Sequence, residues 1–200
     1  MIYPFLAWGQ TNNFTTNLPI IHIHTNGQEI QDEPKIMMNM GIIWNGEGSM
    51  NETSGEYNHY NGKIAIEIRG SSSQMFPKKS FGFETRDENG MDIDFPLLGL
   101  PEEEDWILYA PYSDKTLIRN VLTFTLAGQL GHYTPRCRFV ELFIDEEYWG
   151  VYVLMEKIKR EDTRVDIATL NPDETTGDDL TGGYIVKIDK TTGSGGSGWY

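Results

Sequence analysis

Isoleucines at 64, 66 and 68 alternate with Lys63, Ala65, Glu67 and Arg69. A period of two places the isoleucines on one face of a β-strand over residues 63–69. Similar apolar runs predict strands at 18–25, 35–44, 79–85, 106–110 and 184–189. Two more, at 139–144 and 151–158, flank the polar stretch Asp145-Glu-Glu-Tyr-Trp-Gly150 and read as a hairpin. The 151–158 run is almost continuously apolar until Glu156, which marks a central, buried strand. A carboxylate at the end of such a strand requires a cationic partner.

Helical spacing is clearest over 113–131, where Leu117, Ile118, Val121, Leu122 and Leu126 form an apolar stripe. Ser113 or Asp114 can cap this helix, Gly131 can stop it, and Pro135 prevents its return. Residues 45–62 show no period and read as a long loop. Within it, Asn51-Glu-Thr53 fits the glycosylation acceptor pattern, which random sequence also meets. By alternation Lys79 shares a face with Phe81 and Phe83. It is therefore expected to be the more buried of the Lys78/Lys79 pair, with Glu156 or Glu67 nearby.

Charge changes the picture in one place. The 200 residues carry 30 acidic and 16 basic side chains, a formal net charge of -14. This balance argues against nucleic-acid binding, which needs a basic face. Eight carboxylates fall in residues 86–105 and seven in residues 161–180, end residues included. Against this background Arg69, Ser71, Ser72, Ser73, Lys78 and Lys79 fall within eleven positions, with no Asp or Glu from Arg69 to Phe83. An island of cations and hydroxyls suits a bound anion such as phosphate, and equally a solvated hairpin turn.

The remaining chemistry is sparse. Cys137, the single cysteine, excludes an intrachain disulfide. Its arginine neighbours, Arg136 and Arg138, are of the kind that lower a thiol pKa, but no base is evident and a structural thiol is the favoured reading. His22 and His24 point to one side of a strand, a spacing found in some metal sites and in ordinary surface histidines. No serine-hydrolase elbow, Walker A or conventional kinase motif is present. The aromatics Trp44, Tyr57, Tyr60, Trp106, Tyr148, Trp149 and Tyr152 leave open a sugar- or protein-binding surface, although aromatics at strand positions are usually core. No window approaches the ~18 apolar residues of a membrane span. The first ten residues read as the tail of a signal peptide.

Five blocks in order resemble the CotH family, named for a spore-coat protein H. They are Ile68-Arg-Gly-Ser-Ser-Ser-Gln with Pro77-Lys-Lys-Ser-Phe; Leu97-Leu-Gly-Leu-Pro with Asp105-Trp-Ile-Leu; Tyr112-Ser-Asp-Lys-Thr-Leu-Ile-Arg-Asn120; Gly150-Val-Tyr-Val-Leu-Met-Glu-Lys-Ile158; and Gly182-Gly-Tyr-Ile-Val-Lys-Ile-Asp189. The N-terminal portion is similar to forms in secreted proteins of Bacteroidetes-type bacteria.

The resemblance implies an α+β, sheet-rich fold with few helices, a distant relative of the protein-kinase fold. It divides the chain into a signal-peptide remnant (1–10), N-terminal strands with a long loop (11–62) and a CotH-like kinase domain (63–200) whose C-terminal part is expected further on. It implies an atypical protein kinase that uses ATP and Mg2+ or Mn2+ to phosphorylate serines of secreted or surface proteins. By the same resemblance, Arg69, Ser71, Ser72, Ser73 and Lys78 or Lys79 approach the ATP phosphates. Glu156 orients the lysine or helps hold metal, and Asp189 is the metal candidate. Arg119 and Asn120 belong to a family motif without an assigned role and are grouped with the nucleotide site. The family's catalytic aspartates are expected beyond residue 200, so these residues alone are expected to be inactive. The alternative is a non-catalytic surface or spore-coat-like module.

Overall fold

The structure, a computed structural model, describes residues 13–178 and 180–186. Nine strands and one α-helix follow in chain order: β1 (Thr15–Thr16), β2 (Ile20–His24), β3 (Ile36–Ile43), β4 (Asn51–Glu52), β5 (Tyr60–Arg69), β6 (Ser80–Arg86), β7 (Asp105–Tyr109), α1 (Arg119–Gln129), β8 (Cys137–Ile144) and β9 (Glu147–Glu156). The sheet-rich α+β expectation holds for these residues.

Seven strands close into a barrel in the order β2-β3-β5-β6-β7-β9-β8. All neighbours are antiparallel except β2 and β8, whose parallel pairing (Ile20↔Glu141 to Ile23↔Ile144) closes the ring. Closure leaves no free edge among these seven strands. The alternation visible in the sequence selects what points inward. Ile64 and Ile66 on β5, Phe81 and Phe83 on β6, Trp106 and Leu108 on β7, and Tyr152 and Leu154 on β9 are all buried in one core. Each such side chain contributes on the order of 1.5–3 kcal/mol by leaving water.

The helix lies outside the barrel, with Val121 and Phe124 against Ile107, Val153 and Met155 of β7 and β9. It is shorter than the spacing predicts. Leu117 adopts φ 63°, which breaks the helix before Arg119, and Asp114 organises the turn instead. Its carboxylate accepts from Thr116 N at 3.0 Å and Arg119 N at 2.9 Å. The expected stripe is also corrected, since Ile118, Leu122 and Leu126 are exposed. Apolar residues surround most of this helix, and Phe124 rather than the leucines supplies the wide contact with the sheet.

Two further expectations are overturned within residues 45–62. The stretch contains β4, which pairs with β1 (Thr15↔Glu52, Thr16↔Asn51), and the start of β5. Asn51 is no glycosylation acceptor in this fold: it is fully buried, donates to Leu18 O at 2.9 Å and accepts from Asn45 N at 2.8 Å. The strand expected at 184–189 has no strand geometry over 184–186, and its remainder lies outside the described residues, as do residues 1–12.

Candidate phosphate-binding rim

β5 and β6 pair from Lys63↔Arg86 to Arg69↔Ser80, so the serine–lysine loop is their connection at one rim of the barrel. The loop turns at Gly70, φ 111°, where a Cβ would lie only 2.1 Å from Ser73 Oγ. Glycine is therefore required for Ser73 to fold back over the turn. Ser72–Met75 forms one turn of 3-10 helix. Gln74 Nε2 ties it down by donating to Gly70 O at 2.8 Å and Asp32 Oδ1 at 2.7 Å. Ser71 and Ser72 remain exposed and Ser73 is half-buried.

Phe76 stacks on Tyr112 with ring centroids 5.1 Å apart, and Lys115 Nζ lies 5.5 Å from the same Tyr112 ring. Ser80 Oγ accepts from Ala110 N at 3.0 Å. These contacts join the loop to the segment leading into α1, so two blocks far apart in sequence meet at one rim.

A third block meets them through Lys78. Its ammonium donates to Val151 O at 2.6 Å and lies 4.4 Å from the centroid of the Tyr152 ring. Tyr152 Oη in turn donates to Lys79 O at 2.8 Å. Burial holds Lys78 below the usual lysine range, with the Glu141 carboxylate pulling it back up. Room for the ammonium comes from Gly150, φ 91°, where a Cβ would sit 3.3 Å from Lys78 Nζ. The hairpin register slips between Leu142 and Phe143, placing a bulge at Trp149–Gly150. Gly150 and Tyr152 escaped notice as site residues. The signal was present, because a glycine inside an apolar strand run marks a bulge or a close approach.

One part of the lysine expectation is corrected: among the described residues Lys79 forms no ion pair with Glu156 or Glu67. Lys79 precedes the first residue of β6 and donates to Gln74 O within its own loop. Both lysines are half-buried, and it is Lys78 that reaches across to β9. No described carboxylate forms an ion pair with either lysine or with Arg69. The rim therefore carries three cations not neutralised by direct pairing, together with exposed hydroxyls. That combination fits an anion. Arg119 and Asn120 have exposed side chains at the start of α1, and Arg119 pairs with Asp114 at 3.4 Å. Asp114 already takes the free amide there, so nothing in the contacts ties these two residues to the lysine loop.

Glu156 is placed at the opposite end of the barrel. Trp106 is its register partner on β7, four residues along β9 from Tyr152. Its carboxylate is fully buried and pairs with Arg164 at 2.8 Å and Arg136 at 2.6 Å, also accepting from Arg136 N at 2.9 Å. Arg164 lies 4.9 Å from the Trp106 ring. The expectation that Glu156 orients a rim lysine is thus replaced by a buried arginine–glutamate plug. The reason is that alternation fixes which face a residue occupies but not which end of the barrel its partner reaches.

Metal fits this rim less directly than anion. The one described carboxylate group close enough to share an ion is Asp94, Glu103 and Glu104, at the Glu156 end. Lys159 already bridges Glu103, Glu104 and Asp105 there. Asp189 lies outside the described residues. The Cys137 thiol is pushed up to about 11 by burial and then by Glu156, against the lowering its arginine neighbours suggested.

A family model described as CotH kinase protein matches residues 66–197, a span that begins in β5 and takes in the whole rim. No curated protein matches the chain.

Proposed function

The chain belongs to the CotH kinase protein family, and on that premise we propose that its lysine–serine rim holds the phosphates of ATP for transfer to serines of secreted or surface proteins. The observation that carries this reading is that Arg69, Lys78 and Lys79 all lie at one end of the β5–β6 pair, none of them in a direct ion pair with a described carboxylate, in a chain of net charge -14. Fixed cations beside a developing phosphoryl charge stabilise transfer because they need no reorganisation when the charge moves.

The residues divide the work. Lys78, held by Val151 O and the Tyr152 ring, presents a positioned ammonium. Arg69 offers a planar fork suited to two phosphate oxygens. Ser71 and Ser72 supply exposed hydroxyl donors, and Gly70 lets Ser73 fold back over the turn. Mg2+ or Mn2+, when bound with ATP, supplies charge neutralisation between phosphate oxygens. Asp189 is the carboxylate proposed to hold it. Glu156 supports the barrel beneath the site rather than touching the nucleotide.

The test is incorporation of labelled phosphate from ATP. The full reading frame is incubated with Mg2+ or Mn2+ and a serine-rich exported protein. Incorporation that falls at least tenfold in Lys78→Ala supports the reading. Nucleotide binding without any incorporation would favour the non-catalytic module, and activity unchanged in Arg69→Ala, Lys78→Ala and Lys79→Ala would remove the rim from the chemistry.

A further inference from the structure

We propose that His22, His24 and Tyr57 form a binding site for a transition-metal ion of the Zn2+ class on the outer wall of the barrel. The site lies outside the residues that match the family and does not depend on the phosphate-binding reading.

On β2 the isoleucines at 21 and 23 point inward and are fully buried, which turns both histidines outward. Their ring centroids are 6.2 Å apart. Tyr57, from the loop before β5, places its hydroxyl 3.0 Å from His22 Nδ1 and 2.8 Å from His24 Nε2. Two imidazole nitrogens therefore converge on one oxygen atom.

The neighbours fix this geometry. Gly41 is the register partner of His22 on β3, and a Cβ there would lie 2.5 Å from Tyr57 ring carbons. Only glycine lets the tyrosine ring lie flat on the strand and hold its hydroxyl between the histidines. On the other side Phe143, the register partner of His22 on β8, packs edge-on at 5.1 Å. All three donors are half-buried, so they are held in place yet open to an ion.

The chemistry favours a borderline cation. Two imidazoles and one phenolic oxygen suit Zn2+, Cu2+ or Ni2+, whereas Mg2+ and Ca2+ prefer oxygen-only sets. An ion about 2.0–2.1 Å from each donor in tetrahedral geometry keeps its donors roughly 3–3.5 Å apart, so the two N···O separations of 3.0 and 2.8 Å need to open only slightly for an ion to sit between the three atoms.

The test uses tag-free protein and ZnCl2 alone, followed by calorimetry. Wild type is expected to take up one equivalent of Zn2+. His24→Ala and Tyr57→Phe are expected to weaken it, the histidine change by about 100-fold or more, beyond the roughly 10–100-fold that outer-shell changes cost. MgCl2 should give no heat at this site. His24 is half-exposed, so its variant keeps the fold even if His22→Ala does not. Cobalt absorption in the visible region reports nitrogen ligation independently. No Zn2+ uptake, or uptake of equal affinity in His24→Ala, would overturn the proposal.

Discussion

Lys78 occupies the space that a side chain at position 150 would fill: its ammonium is 3.3 Å from the point where a Cβ on Gly150 would stand. The glycine also adopts φ 91°, a conformation that costs other residues about 1–2 kcal/mol. Gly150→Ala is therefore expected to lower stability by about that amount and to displace the lysine from Val151 O. Denaturant unfolding measures the first effect, and ATP titration of the refolded variant measures the second as a loss of affinity.

Glu156 and Arg164 predict a different outcome for a residue that sequence alone assigned to catalysis. Both side chains are fully buried and pair at 2.8 Å. Removing one member strands the other, which costs about 3–5 kcal/mol when a buried charge loses its partner. Glu156→Ala should lower the unfolding midpoint sharply. At a temperature where the variant remains folded, its ATP affinity should equal that of wild type.

The strands were largely legible in the sequence because alternation at Ile64/Ile66/Ile68 and the apolar run at Val151 report directly on burial, whereas their closure into a barrel through the parallel β2–β8 pair was not. The rim was legible as a cluster, since Arg69 to Lys79 is local. Which lysine crosses to β9 was not, because Lys78 meets Gly150 through closure of the barrel rather than through any local pattern. The same holds for Glu156: its burial demanded a cation, but Arg136 and Arg164 become its neighbours only in three dimensions. The short helix was misjudged because Asp114 builds its turn with Leu117 at positive φ, which periodicity does not register.

His22 makes stability depend on pH. Its folded pKa is lowered from 6.5 to about 4, so between those values the unfolded chain binds more protons than the folded one. Stability is then fully present above pH 6.5 and is lost as pH falls toward 4. For a half-buried ring the loss is on the order of 1–2 kcal/mol after solvent screening. Denaturant unfolding in EDTA at pH 7 and pH 4.5 should show this drop in wild type and a smaller one in His22→Gln.

Cys137 should react slowly. With its thiol pushed up to about 11, the thiolate fraction at pH 8 is far below that of a free cysteine. Labelling by iodoacetamide is expected to be at least tenfold slower than in the denatured protein, and rates that match would place the thiol in solvent.

The central claim is that the Arg69–Lys79 rim binds the phosphates of ATP, and nucleotide affinity tests it most directly. Titration of the chain with ATP and Mg2+ is compared for wild type, Arg69→Ala, Lys78→Ala and Lys63→Ala, the last removing an exposed cation that pairs with Glu88 away from the rim. The account predicts at least tenfold weaker binding for the two rim variants and wild-type affinity for Lys63→Ala. Equal affinity in all four proteins, or no binding in any, would contradict it.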